Sequence, residues 1–303
     1  MWFRNLSLYR FTKPFELTPE ALEEQLEARP SRPLGDLEPA FTGWTPPLGE
    51  EGGLLVHTVG NCLMVCARKE EKILPPAVVR ELVAEKAAEI EDKEGRKLGA
   101  KARRDLKENI IFEMLPRAFS KSSRHYAYID GKNGWLVVDT PSASRAEELI
   151  SLLRECLGSF PVVPLATEES PVDAMTQWLK ERTSPPDIEI GDECELRDLV
   201  EDGAIVRVRR EDLFSDEIQA HVQSGKRVMK LALTWKERVS FILDEHFVLR
   251  RLRFEDAVLD EAGESQAETY AERFDADFAL MSGELQTFLP ALIDTFGGQE
   301  DQP

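Results

Sequence analysis

The sequence predicts an α+β fold, with antiparallel sheets and hairpins beside packed helices in two lobes, plus a projecting helical tip. Three observations carry this expectation. The tight-turn dipeptides Gly60-Asn61 and Asn133-Gly134 each stand between short apolar runs, which marks hairpins. Residues 76–116 show helical periodicity in two pieces separated by Gly95 and Gly99, flanked by strands. The second half repeats the mixture of strands and helices without any 20–50-residue repeat.

The elements follow in order. Met1–Arg10 reads as a strand, with Leu6 and Leu8 on one side and Ser7 and Tyr9 on the other. Thr18-Pro19 starts a helix through Leu22 and Leu26, because threonine caps and proline suits the first helical position. Residues 30–53, rich in Pro and Gly, read as loop. Leu54–Val59 and Cys62–Ala67 then pair across Gly60-Asn61. After Pro75-Pro76, Val79, Leu82, Val83, Lys86 and Ile90 share one helical face. Leu106, Ile110 and Met114 mark a second helix, closed by Pro116, so residues 76–116 form a helical hairpin inserted between strands.

His125–Ile129 and Trp135–Val138 make the next hairpin. Ser144 and Glu147 have capping-box spacing for a helix ended by Gly158. Phe160–Leu165 reads as an edge segment because its prolines cannot serve a central ladder. Ser170-Pro171 opens a helix through Met175, Trp178 and Leu179, and Ser184-Pro185-Pro186 is a linker. Ala204–Arg209 is a strand, Ser215–Ser224 a short helix, and Val228–Trp235, Val239–Leu243 and Phe247–Phe254 a meander. The acidic stretch 267–296 is helical, with Phe274, Phe278, Met281, Leu285, Phe288, Leu289 and Leu292 as its apolar stripe. These boundaries divide the chain into a lobe of residues 1–75 with 122–168, an inserted helical tip at 76–121, and a C-terminal lobe at 169–303 ending in acidic helices.

Composition removes several function classes. No apolar run has membrane-spanning length, and the start lacks the features of a secretory signal, so a cytoplasmic protein is expected. Cys62, Cys66, Cys156 and Cys194 lack zinc-ligand spacing and read as buried reduced thiols. No GxxxxGK[ST], GxGxxG, HExxH or GxSxG motif occurs. Asp275 and Asp277 could be read as a metal pair for a Mg²⁺-dependent nuclease, but i and i+2 positions on a helix point in different directions. His57, His125, His221 and His246 sit in no arrangement that demands proton transfer. No catalytic residue, metal ligand or cofactor is therefore assigned, and the expectation is that the protein is not an enzyme.

The net charge of −19 taken alone suggests repulsion from phosphate. Its distribution says more. Residues 68–121 are net +3 and 203–254 net +4, whereas 255–303 are net −12. The first island is densest at Lys93, Arg96, Lys97, Lys101, Arg103, Arg104 and Lys107, where Lys97, Lys101 and Arg104 have i, i+4, i+7 spacing if Gly99 leaves the helix unbroken. A solvated helix face explains such a run equally well. Arg117, Phe119 and Lys121 follow, an aromatic between cations that can stack on bases, plug into a partner subunit, or pack into its own domain. In the second island Arg207 and Arg209 share a strand face with Ile205, and Arg210 follows. Arg250 and Arg251 add charge nearby but must alternate faces. Outward guanidinium groups on a strand can track phosphates without reading bases.

Several segments together resemble the RdgC recombination-associated family. They include Gly43-Trp44-Thr45-Pro46-Pro47-Leu48-Gly49, the run Val65–Pro75, Leu115-Pro116-Arg117-Ala118-Phe119-Ser120, Leu157–Leu165, Lys230-Leu231-Ala232-Leu233-Thr234-Trp235, and Arg273-Phe274-Asp275-Ala276-Asp277-Phe278, in the family order from end to end. The resemblance implies a ring-shaped homodimer that surrounds duplex DNA without sequence preference; single-stranded DNA is a further candidate partner, and the sequence does not set a preference between the two. It also implies antagonism of RecA-type recombinase in recombination and replication-fork repair, nucleoid association, and no membrane partner. It places Phe119 at a tip that meets the other subunit and links Arg209-Arg210 to DNA, although Glu211 stands where a neutral polar residue is usual. Together with the islands, this gives a DNA-binding set of Lys97, Lys101, Arg103, Arg104, Lys107, Arg117, Lys121, Arg209 and Arg210. The alternatives are an inhibitor that grips the recombinase directly through an acidic, DNA-like surface, and the nuclease.

Overall fold

A computed structural model describes residues 1–49, 52–200, 203–263 and 267–300. The first half of the chain builds a seven-stranded antiparallel sheet from β1 (Ser7–Phe11), β2 (Ala40–Thr45), β3 (Val56–Val59), β4 (Cys62–Lys72), β5 (Ser120–Asp130), β6 (Trp135–Val138) and β7 (Val162–Pro164). Its order is β2-β4-β5-β6-β1-β7, and β3 shares one edge of β4 with β2. Gly60, at φ +57°, forms the expected two-residue turn with Asn61, whereas four residues, 131–134, join β5 to β6, the last of them Gly134 at φ +72°. The proline-bearing β7 lies at the sheet edge, where its missing donor costs no ladder bond.

Both faces of this sheet are covered. Helices α1 (Pro19–Leu26) and α4 (Ala143–Leu157) bury Leu22, Leu26, Leu149 and Leu153 against Val65, Ile129 and Val138. As the sequence predicts, the Thr18 hydroxyl accepts from the Ala21 amide at the start of α1, and Gly158 ends α4 at φ +71°. The Ser144–Glu147 capping box does not form. Ser142 is the N-cap, and α4 begins before Ser144, whose hydroxyl lies 3.0 Å from that of Ser142.

Residues 30–53 are not wholly loop, since β2 lies within them. It is an edge strand that needs only the β4 ladder on one side, and its other edge meets the incoming chain: the Trp44 amide donates to Arg29 O (2.9 Å) and the Ser31 amide to Trp44 O (2.7 Å). A Cβ on Gly43 would lie 2.6 Å from Pro30 O, so only glycine admits this approach. Pro and Gly here shape the strand's surroundings rather than abolish it.

Strands β4 and β5 each run 11 residues, longer than their apolar cores suggest. Their polar halves pair Arg68–Lys72 with Ser120–Arg124 and carry the helical hairpin of α2 (Pro76–Glu94) and α3 (Ala100–Met114). Few side chains are buried in that hairpin: Val79 and Ala87 from α2, Ile110 from α3, and Leu115 just beyond.

The second sheet has the order β12-β11-β10-β8-β9, from β8 (Ile188–Arg197), β9 (Ile205–Arg209), β10 (Arg227–Trp235), β11 (Val239–Asp244) and β12 (Leu249–Phe254). Strand β8 falls in a stretch between the Ser184-Pro185-Pro186 linker and Ala204 to which the sequence reading assigns no element. Helices α5 (Pro171–Glu181) and α6 (Asp216–Gln223) pack beside the sheet. After α7 (Asp256–Gly263), α8 (Tyr270–Asp294) buries all seven residues of the predicted stripe. It does so between the two sheets. The Phe278 ring lies 5.8 Å from Tyr128 of the first sheet, and Phe288 lies 5.3 and 5.2 Å from Trp235 and Phe241 of the second. One continuous core therefore joins the chain's two halves.

Candidate nucleic-acid interface

The first basic island sits at the turn of the helical hairpin. Gly95, at φ +67°, terminates α2, and Gly99 is the N-cap of α3. Lys97 therefore lies in the connecting turn, and no continuous helical stripe joins it to Lys101 and Arg104. At 100° per residue, Lys101 and Arg104 face away from Leu106, Ile110 and Met114, sharing the outer side of α3 with Asp105, Glu108 and Phe112. Arg103 turns back toward α2, where its Nη2 donates to Glu91 Oε1 at 2.9 Å. The Leu98 amide also donates to that oxygen (2.8 Å), and these two donors hold the Glu91 carboxyl below its usual range. Arg96 pairs with Glu94 at 2.9 Å. Lys97, Lys101, Arg104 and Lys107 are exposed and make no ion pair among the described residues.

At the base of the hairpin, Arg117 is exposed and Lys121 pairs across the ribbon with Glu71 (2.7 Å). Phe119 is 85% exposed. Its backbone is fixed where the ribbon meets the hairpin, with the Ile73 amide donating to Phe119 O at 2.7 Å. Beside it runs an open groove lined by Ile73, Leu82, Ile110, Met114 and Arg117. Phe112, 56% exposed on α3, is a second uncovered aromatic that periodicity alone did not single out.

The second island lies on the outer face of the five-stranded sheet. Arg207 and Arg209 point outward with Ile205, while Val206 and Val208 pack against the core, which follows the strand alternation read from the sequence. Arg210 is exposed at φ +57°, just past the strand end, and Glu211 beside it is exposed too. Across the ladder stand two acids absent from the sequence-based set: Glu193 opposite Arg209 and Glu195 opposite Arg207. Glu195 Oε2 accepts from Arg207 Nε (2.9 Å) and Lys230 Nζ (3.2 Å), and Oε1 from Arg197 Nη2 (3.1 Å). Burial opposes its charge, yet these cations hold its carboxyl down to about 2. The alternation in Glu193-Cys194-Glu195-Leu196 is the sequence signal that exposes this strand.

Arg250 and Arg251 do not alternate faces. Ser240 pairs with Arg253 but Ile242 with Arg250, so β12 carries an extra residue, and Arg251 takes φ +51°. This bulge turns both arginines into the groove that Arg207, Arg209 and Lys230 also line. Arg250 Nε donates to the buried Asp244 (2.6 Å), and Arg251 pairs with Glu193.

The remaining candidates are structural in their surroundings. Burial pushes the thiols of Cys62, Cys66 and Cys194 up to about 11, about 12 and about 12. Asp275 Oδ1 lies 2.9 Å from His57 Nε2, while Asp277 pairs with the Met1 amino group, so the two carboxylates point apart. No group of three His, Cys, Asp or Glu able to hold a metal ion occurs among the described residues. Likewise, no helix among them is long and apolar enough to cross a membrane.

Comparison with known proteins gives one consistent family. The family model described as "Putative exonuclease, RdgC" matches residues 1–299. Proteins named recombination-associated protein RdgC are similar over 99% of this chain and 99% of their own length. They include those of Aeromonas hydrophila (45% identical), Tolumonas auensis (43%) and Yersinia pestis (41%).

Proposed function

The chain belongs to the RdgC family of recombination-associated proteins, and from that premise we propose that it binds duplex DNA without sequence preference, as a ring-shaped homodimer, and thereby restrains a RecA-type recombinase. The observation that carries this reading is the set of exposed cations Lys97, Lys101, Arg104 and Lys107, without an ion pair among the described residues, on the hairpin of α2 and α3. Cations on a projecting element can reach phosphates while the acidic remainder of the surface stays remote from them. The outer face of the second sheet supplies the other contact, through Arg209 and Arg210. The sequence of neither island carries a recognition-helix signature or zinc-finger spacing, which favours contact with the backbone.

Phe119 serves the dimer in this proposal: an 85% exposed aromatic beside an apolar groove suits contact between two copies of the chain. Binding without cleavage is part of this proposal, and the separate partners of Asp275 and Asp277 support it. A titration of labelled duplexes of unrelated sequence, repeated at several salt concentrations with and without Mg²⁺, tests the reading. Similar affinities that fall steeply with salt, and intact DNA, are expected. Absent or salt-independent binding refutes the DNA reading, and cleavage restores the nuclease.

A further inference from the structure

The groove on the second sheet has an internal design that its net charge does not convey. Arg207 and Arg250 are held through hydrogen bonds from Nε, to Glu195 at 2.9 Å and to Asp244 at 2.6 Å, while Arg209 Nε faces Glu193 Oε1 as an ion pair at 3.3 Å. Nε is the inner donor of a guanidinium group. Gripping it leaves the terminal Nη pair unused, and among the described residues the Nη atoms of these three arginines make no hydrogen bond. The side chains of Arg207 and Arg209 remain 67% and 69% exposed, while that of Glu195 is 8% exposed. Each acid therefore sits at the floor and each fork points outward. Lys230 and Arg251 stand beside them, tied to the same two glutamates. Arginines i and i+2 on β9 project on one face about 7 Å apart, from the rise of a strand.

We propose that this face is a preorganised cradle for a phosphodiester backbone, in which Glu193 and Glu195 are positioning residues that hold the forks of Arg207 and Arg209 ready for phosphate oxygens. A free arginine loses side-chain freedom when it binds; one already fixed at Nε loses less, and its two Nη donors match two oxygens of one phosphate. The acids thus add to anion binding although their charge opposes it. The proposal rests on the DNA reading above for its ligand, and the test separates the two.

The test compares the full-length protein with Glu195→Gln and Glu193→Gln, using unrelated duplex DNA and inorganic tripolyphosphate as probes, with circular dichroism as the fold check. Removing a negative charge strengthens anion binding if the glutamates only screen the arginines. Positioning predicts the opposite sign: each variant binds both probes about threefold to tenfold more weakly, the worth of one hydrogen-bonded arrangement, with a shallower salt dependence for duplex. Equal or tighter binding by the variants overturns the proposal, as does failure of the wild type to bind either probe. Wild-type binding of tripolyphosphate without duplex, weakened in the variants, keeps the cradle and refutes the DNA reading. Glu193, the less buried acid, keeps the test available should the Glu195 variant not fold.

Discussion

Leu6 and Leu249 exchange a closed pair of backbone hydrogen bonds, 2.8 Å from the Leu6 amide and 3.0 Å from the Leu249 amide. Leu6 leads into β1 of the first sheet and Leu249 begins β12 of the second, so this pair ties the two sheets together directly. The Leu252 amide extends the seam by donating to Arg4 O at 2.8 Å. With α8 packed between the sheets, the halves of the chain share one core.

That shared core predicts cooperative unfolding. Phe278 is fully buried and touches the first sheet through Tyr128. Phe278→Ala is expected to cost about 3–5 kcal/mol, as for other buried phenylalanines. Denaturant unfolding should keep a single transition at a lower midpoint; two separated transitions would show that the halves unfold independently.

Two histidines predict loss of stability in acid. Burial lowers the pKa of His57, with Asp275 opposing it. Burial also lowers that of His125, and Arg145 and Lys69 push it further down. A depressed histidine pKa means the unfolded chain binds the proton more readily, so the contribution is complete above the unfolded pKa of about 6.5 and is lost as pH falls below it toward the folded value. Thermal scans between pH 7.5 and 5.5 should show a smaller decline for His125→Gln than for the wild type. An identical decline refutes the assignment.

The outer side of α3 predicts a sequence-independent binding defect. Reversing Lys101 and Arg104 together to Glu should weaken duplex binding equally for unrelated sequences and flatten the salt dependence by about two phosphate contacts. Stability should change little, because both side chains are exposed and make no ion pair among the described residues. Unchanged affinity would place the DNA surface elsewhere.

Phe119 predicts an assembly defect without a folding defect. At 85% exposure, Phe119→Glu should alter stability by no more than about 0.5 kcal/mol. If the aromatic joins two copies, sedimentation at micromolar concentration should show a shift from dimer toward monomer. A variant that sediments like the wild type removes Phe119 from the interface.

The sequence by itself determined the elements whose signals are local. Thr18-Pro19 capped α1, Gly60 and Gly134 closed their hairpins, Gly95 and Gly99 separated two helices, and the stripe from Phe274 to Leu292 named the buried side of α8. Each depends on a few neighbouring residues whose backbone preferences or spacing act alone. Tertiary structure decided what depends on partners distant in the chain. It placed α8 between two sheets, made β2 a strand by pairing it with β4, and turned Arg250 and Arg251 to one side through a bulge. It also set Glu193 and Glu195 beneath Arg209 and Arg207. Charge counting recorded the arginines as an island and the glutamates as background, because cross-strand register, which brings them within hydrogen-bond reach, is a property of the assembled sheet.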